Sequence, residues 1–276
     1  MFSTGASPIW KSSAFCGEFA DVALNVTEIE DGSVGSTVGV FLGVLHTTLS
    51  TPQFALPGLA PADTASLHGF LEPVFRHAAR TAAATMGADA PSNDAILAEV
   101  AAIRAAIADQ APGTAVGLPC GWRTAKSGHT VFMTVERPRD GTADVRDVHV
   151  SNSGQGLQYH PAEHGVAYPN TRYQATLCLP GIPTHRITDE WFLYLLLQNF
   201  GTRKETNTAQ VLYEVLLPHL AGVTLNEAAS ASAAAGTAPA ADAIDWQTPQ
   251  RSAVGFYRCL PTALRSVPSH THIHSA

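Results

Sequence analysis

The chain has 276 residues, 45% of them hydrophobic, which is enough to bury a sizeable core in one large domain or in two lobes. Its formal net charge is -7 with only 16 lysines and arginines, which argues against a nucleic-acid partner because binding to phosphates needs a clustered basic surface. No apolar run reaches the roughly 18 to 20 residues that span a bilayer, and residues 1–20 lack the basic start and apolar stretch of a signal peptide. We therefore expect a soluble, intracellular protein, cytoplasmic or cytoskeleton-associated, that does not insert into a membrane.

The first part of the chain predicts a β-hairpin followed by a helix. Residues 21–50 are rich in β-branched side chains on either side of a turn at residues 30–33. A proline-containing connector over residues 52–61 leads to a helix that begins at residue 63 or 64, runs to residue 86 and is kinked at Pro73.

A second helix is predicted over residues 94–109. Ser92 or Asn93 supplies a polar cap at its start, and Pro112 with Gly113 ends it. One face carries apolar side chains at helical spacing. These are Ile96, Leu97, Val100, Ile103 and Ile107.

The middle of the chain is predicted to be rich in strands, over residues 130–137, 144–151 and 172–179, with a turn at residues 138–141. Two helices follow, over residues 189–200 with Thr188 as the cap and over residues 206–220. The side chains predicted to face inward from the first of these helices are Trp191, Phe192, Leu195 and Leu196, and the second helix carries Val211, Leu212, Val215 and Leu216.

The end of the chain divides into three segments. Residues 226–243 contain almost no large apolar groups and are predicted to be a mobile, alanine-rich loop, although their alanines could also extend a helix. Residues 244–267 form a compact segment with a helix that begins at Ser252 or Ala253, and this segment is expected to complete the same domain as residues 1–225. Residues 268–276 are read as a tail.

Two residues at the ends of neighbouring predicted strands form a candidate catalytic pair. His129 lies near the start of the run Ser-Gly-His-Thr-Val-Phe-Met, and Asn152 lies near the end of the run Val-His-Val-Ser-Asn-Ser-Gly. If the strands are adjacent, the Asn152 oxygen can accept from Nδ1 of His129 and leave Nε2 facing a nucleophile. A thiol protease orients its general base in this way.

This stretch resembles the His/Asn half of the papain-like cysteine peptidases, in which a Gly/Asn-His-Ala-Val strand runs through a turn into a strand that ends Lys-Asn-Ser-Trp-Gly. The resemblance covers residues 127–154. It implies an α+β fold in which an antiparallel sheet packs against a helical lobe. It also implies that His129 is the general base and Asn152 the residue that orients it.

The resemblance extends to the C-terminal segment, where a nucleophile would lie in the first turn of a helix behind a glutamine that donates to the oxyanion. Gln250 matches that glutamine, but Gly255 stands where the nucleophilic cysteine is expected. The order of histidine, asparagine and then nucleophile helix resembles the permuted SUMO- and adenovirus-type proteases. The C-terminal helix would then occupy the nucleophile position without carrying a nucleophile.

The four cysteines lack the CxxC pairing of zinc ribbons and are too few for a disulfide scaffold, so we expect reduced thiols at Cys16, Cys120, Cys178 and Cys259. Cys259, one helical turn beyond Gly255, is the first alternative nucleophile, although a buried structural cysteine is the common role in an apolar helix. Cys120 lies in a turn-like context and is the second alternative.

Simpler interpretations of the same residues stay open. His129 is also suited to a buried polar network, and Asn152 lies in a segment whose asparagine and glycines favour a turn. His160 either lines the same cleft or ends that turn. The alternating His270, His272 and His274 can bind zinc or nickel adventitiously, but we expect no functional metal and no cofactor, and Gly32 to Gly35 lacks the features of a phosphate loop.

These observations together predict a catalytically inactive, cysteine-peptidase-like protein that binds other protein subunits in a larger assembly. The alternative is an active thiol hydrolase of peptide or isopeptide bonds, deubiquitinase-like, that uses His129 and Asn152 with Cys259 or Cys120. An activated thiol beside His129 would favour the enzyme, whereas its absence would favour the binding protein.

Overall fold

The structure is a computed structural model that describes residues 91–125, 128–139, 144–152, 154–163, 171–228 and 246–247, with helical residues at 73, 74, 76–78, 80, 81, 84 and 85. The predicted hairpin, the connector, most of the alanine-rich loop, the C-terminal helix and the tail lie outside the described residues. In the part described, no helix is long and apolar enough to cross a membrane.

The described residues form an α+β fold around a four-stranded antiparallel sheet, as the coarse fold class predicted. In spatial order its strands are β1 (Ala115–Arg123), β2 (Gly128–Glu136), β3 (Val145–Ser151) and β6 (Thr176–Pro183). A second, smaller antiparallel sheet contains β4 (Ala162–Glu163), β5 (Arg172–Gln174) and β7 (Trp246–Gln247).

The helices are α1 (Asn93–Ala108), α2 (Thr184–Ile187), α3 (Glu190–Gly201), a π helix (Val211–Leu216) and α4 (Leu217–Ala221). Alternating residues of the sheet strands point to one face and pack against α1 and α3, which produces one continuous apolar core. The sheet contributes Leu118, Val131, Met133, Val135, Val148, Val150, Leu177 and Leu179 to this core.

Strand β1 was not predicted, and this is the main correction to the fold. Its sequence Ala-Val-Gly-Leu-Pro-Cys-Gly-Trp-Arg is typical of a turn because glycine and proline interrupt it. Among the described strands, β1 is the first in the sheet order and pairs only with β2, a position in which a proline without an N–H is tolerated. Cys120, predicted to lie in a turn, is therefore a buried strand residue paired with Val131.

The predicted inward face of α3 was wrong at Trp191 and Leu195, and two other apolar side chains of the predicted helices, Leu97 and Val215, are also exposed. Leu97 is 41% exposed, Trp191 71%, Leu195 38% and Val215 57%. In α3 the buried side chains follow a stripe that contains Phe192, Leu193, Leu196, Leu197 and Phe200. Residues 191 and 195 are each one position away from that stripe, and one position rotates a side chain by about 100° around a helix.

Two helix boundaries and one strand also differ from the predictions. Asp189, rather than Thr188, caps α3, because its carboxylate accepts from the backbone N–H of Phe192. The predicted helix over 206–220 is widened into a π helix before Pro218, whose ring would otherwise clash with the carbonyl four residues earlier. The predicted strand over 172–179 breaks at Ala175, so that its two halves belong to different sheets.

Candidate functional site

The sheet brings His129 and Asn152 into contact. His129 is the second residue of β2, and Asn152 follows the last residue of β3, Ser151, which pairs with Phe132. The two residues are thus diagonal neighbours on one face of adjacent strands, a separation that long side chains bridge. Nε2 of His129 lies 2.8 Å from Oδ1 of Asn152.

The contact uses the ring nitrogen opposite to the one that the sequence predicted. Because Asn152 is a diagonal rather than a direct neighbour, the distal Nε2 of His129 reaches it and Nδ1 does not. Oδ1 of Asn152 also accepts from the backbone N–H of Gly154 at 2.9 Å, which identifies this atom as the amide oxygen. The Nε2 of His129 is therefore the donor, and in the neutral ring Nδ1 is the atom that can take up a proton.

The other end of the Asn152 amide is held as well. Its Nδ2 donates to the carbonyl oxygen of Gln155 at 2.8 Å and to the hydroxyl oxygen of Tyr213 at 2.9 Å. Asn152 is fully buried, so each of these bonds satisfies a polar group that has no access to bulk water. The amide cannot turn over without losing bonds at both ends.

Close packing holds the imidazole between an aromatic ring and a glycine. The Trp122 ring lies 5.1 Å from the His129 ring, centroid to centroid, at an angle of 37°. Gly121 has φ +135°, and a Cβ there would overlap the carbonyl oxygen of His129, so only glycine fits the position. On the opposite side, a Cβ on Gly154 would be 2.7 Å from Cε1 of His129.

Burial lowers the pKa of His129, and the hydrogen bond to Asn152 opposes this change in part. The ring is therefore neutral at neutral pH, which is the state a general base requires before it accepts a proton. Among the described residues, Nδ1 of His129 has no hydrogen-bond partner. The arrangement presents an oriented, neutral imidazole whose basic nitrogen can still accept a proton.

The described thiols are poorly suited to act with this base. Cys120 is completely buried in the apolar core, and a reactive thiol needs at least partial exposure. Burial, aided by the charge of Asp147, raises the pKa of Cys178 to about 11, which keeps that thiol protonated. Gln250, Gly255 and Cys259 lie outside the described residues, as does Cys16.

The described strand nearest to Gln250 in sequence is β7, which pairs with β5 through Tyr173 and Gln174. Gln174 in turn contacts the site, because its carbonyl oxygen accepts from Nδ1 of His160 at 2.8 Å. His160 is buried, and its Nε2 lies 3.0 Å from the hydroxyl of Tyr213. Of the two interpretations of His160, the one in which it ends a turn fits the structure, because His160 follows the 3₁₀ turn Leu157–Tyr159 and its backbone N–H donates to the carbonyl oxygen of Leu157. Its buried ring does not line an open cleft.

Sequence reasoning missed Trp122 and Tyr213, both of which contact the candidate pair or its partners. Tyr213 is separated from Asn152 by 61 residues and lies on a different element, so no local pattern could have revealed the contact. Trp122 lies directly opposite His129 in the β1–β2 register, and the unpredicted β1 hid that pairing. Trp122 could have been found if the segment Ala115–Arg123 had been recognised as a strand despite its glycines and proline.

A metal site and a surface cleft were the other candidates for a functional site. No group of three or more His, Cys, Asp or Glu side chains suited to a metal ion occurs within the described ranges. A cleft of about 320 Å³ lies between α1 and α3 and is lined by Asn93, Leu97, Glu190, Trp191 and Tyr194. None of these residues belongs to the candidate site, so the cleft gives no support to the chemistry at His129.

Comparison of the chain with family models, with curated proteins and with solved structures found no match. The roles of His129, Asn152, Gln250, Gly255 and Cys259 therefore stay predictions, and the case for them depends on the geometry of the described residues. That geometry contains an oriented histidine, a buried asparagine and an aromatic wall.

Proposed function

We propose that the chain carries a thiol hydrolase centre of the cysteine-peptidase-like kind, with His129 as the general base and Asn152 as the residue that orients it. The observation that carries the proposal is the 2.8 Å hydrogen bond from Nε2 of His129 to Oδ1 of Asn152. It leaves Nδ1 to accept a proton from a nucleophile, and burial keeps the ring neutral until it does so.

The nucleophile in this proposal is one of the two cysteines outside the described residues, Cys259 or Cys16. The described thiols are excluded on physical grounds, since Cys120 is enclosed by the core and the pKa of Cys178 is raised to about 11. The proposed substrates are peptide or isopeptide bonds. The thiol sulfur bonds to the carbonyl carbon while Nδ1 of His129 takes the thiol proton; that proton then passes to the amine as the C–N bond breaks, and water hydrolyses the resulting thioester to the acid and restores the thiol.

The second candidate is the inactive, subunit-binding protein that the sequence favours. It rests on Gly255 in the expected nucleophile position, and the unsuitable environments of Cys120 and Cys178 support it equally. In that case the His129–Asn152 bond is a structural remnant, and the peptidase-like surface serves to bind other protein subunits.

Thiol alkylation followed by mass spectrometry separates the two candidates. The rate at each of the four cysteines is measured from about pH 5 to pH 9 on the wild-type protein and on His129→Ala. His185→Ala is the matched control, because His185 is exposed and lies on α2 away from the pair. Cys120 and Cys178 serve as internal references for slow thiols.

The hydrolase proposal expects one thiol, at Cys259 or Cys16, to react rapidly near pH 6 in the wild-type and control proteins. This rapid phase should disappear in His129→Ala, because the thiolate depends on the base. Slow alkylation at all four cysteines with no effect of His129→Ala would refute the hydrolase and leave the binding protein.

A further inference from the structure

We propose that Tyr213 and His160 are positioning residues that help to hold the Asn152 amide with its oxygen towards His129. This inference deepens the proposed function, because it identifies what keeps the Asn152 oxygen facing the imidazole. It concerns a chain of four groups: the carbonyl of Gln174, the His160 ring, the Tyr213 hydroxyl and the Asn152 amide.

The donor and acceptor of each bond in this series follow from the carbonyl oxygen of Gln174, which can only accept a hydrogen bond. The carbonyl oxygen of Gln174 lies 2.8 Å from Nδ1 of His160, so Nδ1 must carry the proton and donate. In a neutral ring the other nitrogen, Nε2, then has a lone pair and accepts from the Tyr213 hydroxyl at 3.0 Å.

The Tyr213 hydroxyl has one proton, and His160 receives it. Its oxygen is left to accept from Nδ2 of Asn152 at 2.9 Å, which requires the amide nitrogen to face Tyr213. The amide oxygen must then face the opposite way, towards Nε2 of His129 and the backbone N–H of Gly154. The bonds that lead from β5 through two side chains therefore require the same orientation of Asn152 that the N–H of Gly154 and the carbonyl oxygen of Gln155 require.

Burial makes the alternative arrangement costly. Asn152, Tyr213 and His160 are 0%, 1% and 4% exposed, so a group that loses its partner here cannot exchange it for bulk water. A reversed amide would direct Oδ1 at the carbonyl oxygen of Gln155 and Nδ2 at the N–H of Gly154, which places like groups together at both ends.

Packing holds Tyr213 where its hydroxyl can bond to both His160 and Asn152. Its ring is stacked on Tyr159 at 5.0 Å between centroids and 8° between planes, and it meets Trp122 edge-on at 6.3 Å. Trp122 also packs against His129. Burial lowers the pKa of His160 to about 4, so this ring stays neutral over the range in which a thiol hydrolase works and the direction of the chain does not reverse.

The test measures the tautomers and pKa values of His129 and His160 from long-range ¹H–¹⁵N correlation spectra of the full-length protein. Signals are assigned by their disappearance in His129→Gln and His160→Gln. Tyr213→Phe removes the hydroxyl at the centre of the chain, and Tyr159→Phe is the matched control, because it removes a hydroxyl from the ring stacked on Tyr213 without touching the chain.

We expect the wild-type protein to have His160 protonated on Nδ1 and His129 protonated on Nε2 at neutral pH. Tyr213→Phe should lower the pKa of His129 by about half a pH unit, because a loosened Asn152 no longer stabilises the protonated ring, whereas Tyr159→Phe should leave it unchanged. Equal effects of the two variants, or no effect of either, would overturn the inference.

If Tyr213→Phe does not fold, the histidine tautomers in the wild-type spectra still test the inference. A neutral His160 protonated on Nε2, or a neutral His129 protonated on Nδ1, is incompatible with the chain of bonds and would refute it without any variant. These spectra do not depend on a reactive thiol, so failure of the hydrolase proposal in the alkylation experiment and failure of this inference are separate results.

Discussion

Gly154 lies directly against the His129 ring, because the position where its Cβ would stand is 2.7 Å from Cε1 and 3.4 Å from Nε2 of the imidazole. The backbone N–H of the same glycine donates to the Asn152 oxygen that His129 contacts. One residue therefore provides both the space for the ring and a second donor that identifies the oxygen beside it.

Gly154→Ala should displace the imidazole, because a Cβ at 2.7 Å from a carbon atom is closer than packed atoms approach. The expected result is loss of the Nε2 tautomer of His129 and, if the protein is a hydrolase, loss of rapid alkylation at the nucleophile. Gly181→Ala is the control: it strains the backbone at φ +66° but meets no atom within 4 Å. Normal His129 spectra in Gly154→Ala would contradict the described packing.

Asn152→Asp should raise the pKa of His129, because a carboxylate beside Nε2 stabilises the protonated ring more strongly than an amide oxygen does. The expected increase is about one pH unit or more. Asn152→Ala should act in the opposite direction, since it removes the bond that holds the pKa up. NMR titration of His129 in the three proteins measures the order, and any other order would show that Asn152 does not orient the ring in solution.

A second group of ionisable side chains lies on the opposite face of the sheet. Nε2 of His149 is 3.9 Å from Oε2 of Glu136, and Asp147 pairs with Glu136 across the strands. Burial and the charge of Asp147 raise the pKa of Glu136 from 4.5 to about 7, while the charge of Arg139 opposes this. Burial lowers the pKa of His149. Both shifts favour the uncharged forms.

Glu136 should make the protein less stable as pH rises through 7. The folded protein binds the Glu136 proton more tightly than the unfolded chain does, so its contribution is present below 4.5 and is lost as pH passes the folded pKa of about 7. Glu136→Gln mimics the protonated acid and should increase the free energy of unfolding at about pH 8 by roughly 1–3 kcal/mol, with little change near pH 5.

Urea denaturation of both proteins at the two pH values measures this difference. Glu190→Gln, at a 58% exposed side chain on α3, is the control for removal of a surface carboxylate and should change the free energy of unfolding by less than about 0.5 kcal/mol. A constant difference between Glu136→Gln and the wild-type protein at all pH values would mean that Glu136 does not titrate as described.

Arg146 joins three elements from a buried position and should be sensitive to a conservative change. Its guanidinium donates to Oε1 of Gln110 at 2.9 Å, to the carbonyl oxygen of Ile107 at 2.8 Å and to Oγ1 of Thr184 at 3.0 Å. A lysine cannot reproduce this fork, so buried acceptors would lose their donors.

Arg146→Lys is expected to reduce the free energy of unfolding by about 2–4 kcal/mol in chemical denaturation. Arg104→Lys is the matched control. Arg104 forms an exposed pair with Glu190, at 3.1 Å, and its replacement should change stability by less than about 0.5 kcal/mol. Similar losses in both variants would mean that the Arg146 contacts contribute no more than a surface pair.

Local patterns predicted the elements whose signals are contained within a few residues. The helix that became α1 is capped by Ser92, whose Oγ accepts from the N–H of Ala95, and its periodic apolar face is buried apart from Leu97. Strands β2 and β3 follow from their β-branched runs. In these cases propensity, capping and periodicity all favour the same structure, so tertiary contacts did not need to override them.

Position in the sheet decided the elements that local patterns misjudged. The glycines and the proline of β1 favour a turn, but among the described strands β1 has one neighbour, β2, and pairing with β2 makes this segment a strand. The exposure of Trp191 depends on which side of α3 faces the core, and one position of rotation is enough to reverse it.

The sequence alone determined that His129 and Asn152 end adjacent strands and can therefore meet, because strand order in a hairpin is a local property. Only the tertiary structure decided which nitrogen of His129 faces Asn152 and which way the Asn152 amide points. The N–H of Gly154 and the carbonyl oxygen of Gln155 hold the amide in its direction. Tyr213, which is 61 residues from Asn152, and a carbonyl group in another sheet require the same direction. Every hydrogen bond needs a donor and an acceptor. Which group donates and which accepts is determined here only when folding brings distant groups together and buries them.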